Sequence, residues 1–147
     1  MPLDKSQFKN LIERTLKDAS TSSESLYSEP AVNLLLGTAA QESKFGTYLR
    51  QLGNGPAVGF FQMEKPTFYW LKNAYEKKFN IGSFEELEFN IKQAILLCRL
   101  RYYIVPEALP AADDIESLAA YWKKYYNTFN GAGKMEDFIY NYKKYVE

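Results

Sequence analysis

The chain has 147 residues, enough to bury one hydrophobic core without disulfides or metal ions, so we expect a single domain over residues 1–147. Its 18 basic and 18 acidic side chains balance, which argues against a protein that coats nucleic acid or an anionic membrane. The sequence contains no histidine, which excludes Ser-His and Cys-His nucleophile systems and most transition-metal sites and leaves carboxylates, tyrosine and lysine for acid–base chemistry.

The single cysteine, Cys98, excludes an intrachain disulfide and falls on an apolar helical stripe, where a small buried hydrophobe is expected. No apolar run approaches the length of a membrane span, and the first residues do not form a secretory leader. We therefore expect a protein made in a cytoplasm, with no membrane span, no metal ion and no cofactor.

The first two predicted helices differ in character. Residues 4–19 place apolar side chains on one face and begin at Asp4, a typical N-cap, which predicts an amphipathic outer helix. The second helix, capped by Ser28, is apolar nearly all the way round over residues 31–38 and ends near Gly46. A helix of this kind belongs in the centre of a domain.

The rest of the chain is predicted to form a glycine-rich segment over residues 47–64, which we call the glycine-rich excursion, followed by further helices. Residues 47–64 predict a loop, or a short hairpin around Asn54-Gly55. Helices are then expected after Pro66, from a capping box at Ser83 through to Tyr102, from a cap at Asp113 to Asn127, and after a break at residues 130–133. The fold class is mainly α, with about six helices around a buried central helix.

Glu42 lies at the end of this central helix. It follows Leu35, Thr38 and Ala39 at helical spacings, so its side chain shares their face and is screened from water. Desolvation and the negative end of the helix dipole both disfavour the ionised carboxylate, so they raise its pKa. A carboxylic acid that stays protonated near neutral pH can donate a proton to a glycosidic oxygen. The competing interpretation is a surface Glu paired with Lys44 or Arg50.

A second segment, residues 59–63, suits a saccharide ligand. Its glycine allows close approach of a ligand to the backbone, Phe61 is aromatic, and the Gln62 amide both donates and accepts hydrogen bonds. We predict that Phe61, Gln62 and Met63 bind substrate. Taken alone, the segment is also compatible with an ordinary apolar strand.

These segments together resemble the three-part signature of lysozyme-like lytic transglycosylases, the group that contains soluble lytic transglycosylases and goose-type lysozymes. The resemblance is carried by Glu42-Ser43, by the loop into residues 59–63 with Pro66-Thr67, and by Tyr126-Asn127 followed by Gly131 and Gly133. Residues 36–57 are similar to small lysozyme-like proteins of tailed bacteriophages and prophages. The resemblance covers residues 29–145.

This resemblance implies a lysozyme-like fold of the α+β superfamily and cleavage of peptidoglycan between N-acetylmuramic acid and N-acetylglucosamine. Glu42 falls on the family's general acid, and Gln62 on an amide that contacts the glycan. Ser43 falls on the hydroxyl residue beside the acid. Tyr126 falls on a tyrosine whose hydroxyl reaches toward the acid, with Asn127 supporting the helix end. In such enzymes one Glu serves as acid and then as base, and an anhydro product results.

The sequence departs from the family pattern at two places. The pair Phe60-Phe61 is bulkier than the usual loop, and the glycine after Tyr126-Asn127 is delayed, which makes Tyr125 an alternative to Tyr126. A hydrolase would need a second carboxylate across the scissile bond. The candidates are Glu64, Glu107, Asp113 and Asp114.

Three functional hypotheses remain open. The first is a phage-type peptidoglycan-degrading enzyme, acting on the cell wall as a lysis protein or as a virion component. The second is a phage structural or injection protein that keeps the fold and glycan binding with little or no catalysis, and whose partners are other virion proteins. The third is a helical interaction domain in which Glu42 is incidental, which a closed groove between Glu42 and Gln62 would favour.

Overall fold

The computed structural model describes residues 2–127 and 132–147, and within these ranges the chain forms six α-helices and no β-strand. The prediction of a mainly helical fold with about six helices is confirmed. None of the described helices is both long enough and apolar enough to cross a membrane. The elements are α1 (Lys5–Ala19), α2 (Glu29–Ser43), α3 (Lys65–Tyr75), a 3-10 helix (Phe84–Glu88), α4 (Ile91–Tyr103), α5 (Ile115–Trp122), a π-helical turn (Lys123–Asn127) and α6 (Met135–Tyr145).

Helix α2 is the central helix, as predicted. It begins at Ser28, whose side chain accepts a hydrogen bond from the Ala31 amide, and it contacts α1, α4, α5 and α6. Its packing against α6 is close: a Cβ atom at Gly37 would lie 2.3 Å from Cζ of Phe138. Thr38 is buried and donates to the Leu34 carbonyl oxygen at 2.7 Å. Its hydroxyl also lies 2.7 Å from the Tyr102 hydroxyl, so this buried polar group is satisfied both within the helix and across to α4.

The glycine-rich excursion between α2 and α3 is a loop held by two isolated antiparallel bridges, Arg50 with Val58 and Val58 with Met63. At Gly59 the backbone has φ +91°, and a Cβ atom there would lie 2.4 Å from the Leu87 carbonyl oxygen. Only glycine meets both conditions. The excursion is thus fastened against the 3-10 helix.

Two predicted helix starts are wrong in detail. The capping box at Ser83 heads only the short 3-10 helix, and α4 begins again after Asn90, whose side chain accepts a hydrogen bond from the Gln93 amide. An Asn side chain that bonds to the backbone two or three residues on favours a new helix start over a continuous helix. Helix α5 is capped by Asp114 instead of Asp113. Of the predicted break at residues 130–133, residues 130 and 131 lie outside the described residues.

Candidate active site

An open cleft of about 410 Å³ lies where the end of α2, the glycine-rich excursion and the π-helical turn meet. Glu42 lies in this cleft together with Gln62, so the groove between them is open, contrary to what the interaction-domain hypothesis expects. Leu52 is at the edge of the cleft and is 67% exposed. The other lining side chains that bear on its chemistry are Tyr48, Glu64, Tyr126 and Asn127.

Glu42 is half-buried, and burial raises its pKa from 4.5 to about 7. The removal of water is the larger effect, since it disfavours the charged form. A hydrogen bond from Trp122 partly opposes it by stabilising the carboxylate. Both the neutral and the ionised form of Glu42 are therefore populated near neutral pH, which is the property that a general acid–base catalyst needs.

The Trp122 bond also favours one of the two carboxyl oxygens as the site of the proton. The indole Nε1–H donates to Oε2 of Glu42 at 3.0 Å. An indole nitrogen cannot accept, so Oε2 must act as the acceptor in both protonation states. The carbonyl oxygen of a neutral carboxylic acid is a better acceptor than its hydroxyl oxygen, so this bond favours the form with the proton on Oε1. Trp122 itself is held by complete burial and by packing against Phe138, with ring centres 5.4 Å apart.

Trp122 was not predicted as a site residue. Its only signal in the sequence is its position four residues before Tyr126, which places it one helical turn away on the same side of the chain. Tyr48 was also missed. It lines the cleft, and burial, followed by the charge of Glu42, raises the pKa of its hydroxyl.

Tyr126 lies in the cleft, but its hydroxyl does not pair with Glu42. It donates to the Phe61 carbonyl oxygen at 2.6 Å, while the ring stacks on Tyr102 at 5.4 Å. Burial raises the pKa of this hydroxyl well above its usual value. The hydrogen bond to Glu42, which the resemblance led us to expect from Tyr126, comes from Trp122. The alternative, Tyr125, packs on Tyr121 and does not line the cleft.

The π-helical turn carries both Tyr126 and Asn127 into the cleft. A π-helical turn adds a residue to one turn of helix and shifts the side chains that follow it, and such turns are frequent at functional sites. Here the turn directly continues α5 after Trp122. Trp122 can thereby reach Glu42 while Tyr126 reaches Phe61.

Three predicted substrate-binding side chains lie in the interior instead of the cleft. Ser43 has no exposed surface, and its hydroxyl donates to the Phe60 carbonyl oxygen at 2.7 Å and accepts from the Gly46 amide at 2.8 Å. Phe61 and Met63 are 2% and 5% exposed and belong to the core. Burial leaves these side chains almost no surface with which to contact a ligand in the cleft.

Gln62, between these two buried neighbours, does line the cleft. Its backbone has φ +51°, an uncommon conformation for a residue other than glycine. Such backbone strain is retained where the surrounding structure enforces it, often at ligand sites. The amide Nε2 donates to the Gly59 carbonyl oxygen at 2.9 Å, which fixes the orientation of the side chain.

Of the four candidate second carboxylates, Glu64 alone lines the cleft. The Asp114 side chain caps α5 by accepting a hydrogen bond from the Ser117 amide. Oε1 of Glu107 lies 3.8 Å from Nζ of Lys124. Asp113 is exposed and is not part of the cleft. In residues 2–127 and 132–147, no three carboxylate or thiol groups converge in a way that could hold a metal ion.

Comparisons of the chain with protein-family models, with curated proteins and with solved structures gave no match. The interpretation of the cleft therefore depends on its residues and their geometry.

Proposed function

We propose that this chain is a phage-type peptidoglycan-degrading enzyme with a lysozyme-like fold, a lytic transglycosylase or lysozyme that uses Glu42 as its general acid and base. The observation that supports the proposal best is the composition of the cleft. Segments far apart in the sequence supply Glu42, Gln62 and the pair Tyr126-Asn127 to one open depression. The acid among them has a pKa of about 7.

In the first step, the proton on Oε1 of Glu42 passes to the oxygen of the β-1,4 bond between N-acetylmuramic acid and N-acetylglucosamine. The bond from that oxygen to the muramyl C1 breaks, the electron pair stays with the departing sugar, and C1 gains oxocarbenium character. The Glu42 carboxylate remains, stabilised by the hydrogen bond from Trp122.

In the second step, the Glu42 carboxylate accepts a proton from the nucleophile that attacks C1. If the nucleophile is a hydroxyl of the same muramyl unit, the product is an anhydro sugar. If it is water, the product has a reducing end. In both cases the proton returns the acid to its starting form, as microscopic reversibility requires.

Glu64 bears on the choice between these nucleophiles because a hydrolase needs a second carboxylate, which can position the attacking water while Glu42 takes its proton. We expect Glu64→Gln to leave the yield of anhydro product unchanged if the enzyme is a transglycosylase, and to abolish reducing ends if it is a hydrolase. Mass spectrometry of the released muropeptides distinguishes these outcomes.

The decisive experiment digests purified peptidoglycan with the protein and identifies the released muropeptides by mass spectrometry. We expect wild type to release them, and Glu42→Gln to release none while it still binds glycan. Glu29→Gln is the matched control, since it makes the same chemical change on an exposed residue at the opposite end of α2. Glycan binding by wild type without any cleavage would refute the enzymatic proposal and favour the structural or injection role.

A further inference from the structure

Lys123 fixes the orientation of the Asn127 carboxamide. Its Nζ donates to Oδ1 of Asn127 at 2.8 Å and to the Gly133 carbonyl oxygen at 2.6 Å. A lysine ammonium group has three donors and no acceptor, so the atom facing it must be the amide oxygen. The Nδ2 group of Asn127 is left over, and it forms no hydrogen bond within the described part of the chain.

The backbone at Gly133 packs against both Trp122 and the side chain of Asn127. A Cβ atom at Gly133 would lie 2.7 Å from Cη2 of Trp122 and 3.2 Å from Nδ2 of Asn127. The backbone at Gly133 therefore rests directly on the indole that holds Glu42, beside the Asn127 amide. Lys123, which is half-buried, connects this backbone to the π-helical turn.

The carboxamide of Gln62 is oriented in the opposite sense to that of Asn127, with its nitrogen bonded to the protein and its oxygen left over. Its Nε2 donates to the Gly59 carbonyl oxygen, and a carbonyl oxygen can only accept, so the amide orientation is again determined. The atom left over at Gln62 is the acceptor Oε1. Four carboxamides line the cleft, and in three of them, Gln41, Gln51 and Asn127, the oxygen accepts a hydrogen bond from the protein. Among the described residues, Gln62 alone of these four has its nitrogen bonded to the protein and its oxygen left over, so it is held in the sense opposite to Asn127.

We propose that Lys123 is a positioning residue that keeps Asn127 a donor toward the cleft, and that the donor Asn127 and the acceptor Gln62 together select sugars with an acetamido group. An acetamido group carries one N–H and one carbonyl oxygen, which match an acceptor and a donor. A free amine at the same position, protonated near neutral pH, offers only donors and so cannot accept from Asn127 Nδ2. The inference rests on the proposed function only in taking the ligand to be a saccharide.

The test measures binding in the Glu42→Gln background, so that no cleavage occurs. The test ligands are the chitin tetramer and its fully deacetylated counterpart, titrated by calorimetry. With Lys123 and Asn127 intact, we expect the acetylated tetramer to bind at least about tenfold more tightly, the effect of one well-made hydrogen bond.

Three further substitutions test whether the preference for the acetylated tetramer depends on Lys123 and Asn127. Asn127→Asp keeps an oxygen for Lys123 but replaces the donor nitrogen by an acceptor, so the preference should vanish or reverse. Lys123→Met frees the amide to rotate and should reduce the preference several-fold, whereas Lys123→Arg, which retains donors, should restore it. A purely structural role for Lys123 would weaken the binding of both tetramers equally.

An unchanged preference in Asn127→Asp overturns the inference, even where Lys123→Met fails to fold. If wild type releases muropeptides while the preference is absent or insensitive to these substitutions, the inference fails and the proposed function stands. If neither tetramer binds and wild type releases no muropeptides, both fail.

Discussion

Replacing Glu42 by Gln tests the chemistry and the electrostatics of the cleft together. The variant keeps a side-chain oxygen that can accept from Trp122, and it removes the proton-binding group whose pKa burial raises to about 7. We expect loss of peptidoglycan clearing at every pH, because a glutamine amide cannot protonate the departing sugar. We also expect a change in stability that depends on pH.

The magnitude follows from the two pKa values of the Glu42 carboxyl. Its ordinary pKa is 4.5, and in the folded protein it is about 7. The folded state therefore binds this proton more tightly than the unfolded state, so the contribution of Glu42 to stability is greatest below pH 4.5 and falls as the pH rises to about 7. At about 1.4 kcal/mol per pH unit, the loss amounts to about 3 kcal/mol above neutral pH.

The assay is denaturant unfolding of wild type and Glu42→Gln between about pH 4 and about pH 8. Other groups titrate in both proteins, so the difference between their free energies of unfolding isolates Glu42. We expect the variant to gain about 3 kcal/mol relative to wild type over this range.

A difference that stays constant with pH would refute the inference that Glu42 is a desolvated acid. Clearing of peptidoglycan by the Gln variant would refute its role as the general acid. The two results are independent, since the first concerns the environment of the carboxyl group and the second its use.

Three further substitutions make separate predictions. Trp122→Phe removes the donor that favours the ionised carboxyl, so the pKa of Glu42 should rise and the alkaline limb of the pH–rate profile should move to higher pH; an unmoved limb would contradict this. Tyr126→Phe leaves the Phe61 carbonyl oxygen without its donor and should cost about 1–3 kcal/mol in denaturant unfolding while clearing persists, whereas complete loss of clearing would assign the hydroxyl a chemical role. Gly59→Ala places a Cβ atom 2.4 Å from a backbone oxygen at positive φ and should cost more than about 2 kcal/mol, so an unchanged thermal midpoint would refute the close approach.

The features that depend on local sequence could be predicted. The start of α2 depends on Ser28, and the half-burial of Glu42 depends on its spacing from Leu35, Thr38 and Ala39, which the helical repeat determines within two turns. Trp122 could not be assigned in the same way, because it is 80 residues from Glu42 in the chain. Only the packing of α5 against α2 brings the two side chains together.

The interior positions of Ser43, Phe61 and Met63 show a second limit of sequence reasoning. Proximity to a cleft residue in sequence does not determine the direction of a side chain, because burial of apolar surface and left-handed backbone turns decide it. Gln62 faces the cleft at φ +51° while both of its neighbours are in the core. No helical or strand period predicts such an arrangement, since it occurs outside regular structure.

The contact between Trp122 and Glu42 gives this molecule an internal optical indicator. Indole fluorescence responds to a charge that appears beside the ring, and one of only two tryptophans in the chain donates directly to the acid. No imidazole titrates in the same interval, since histidine is absent, and burial moves the pKa of the Cys98 thiol well above it. Near neutral pH the emission of the folded protein should therefore follow the ionisation of Glu42. Its intensity would report the fraction of Glu42 that is protonated, without substrate, label or turnover.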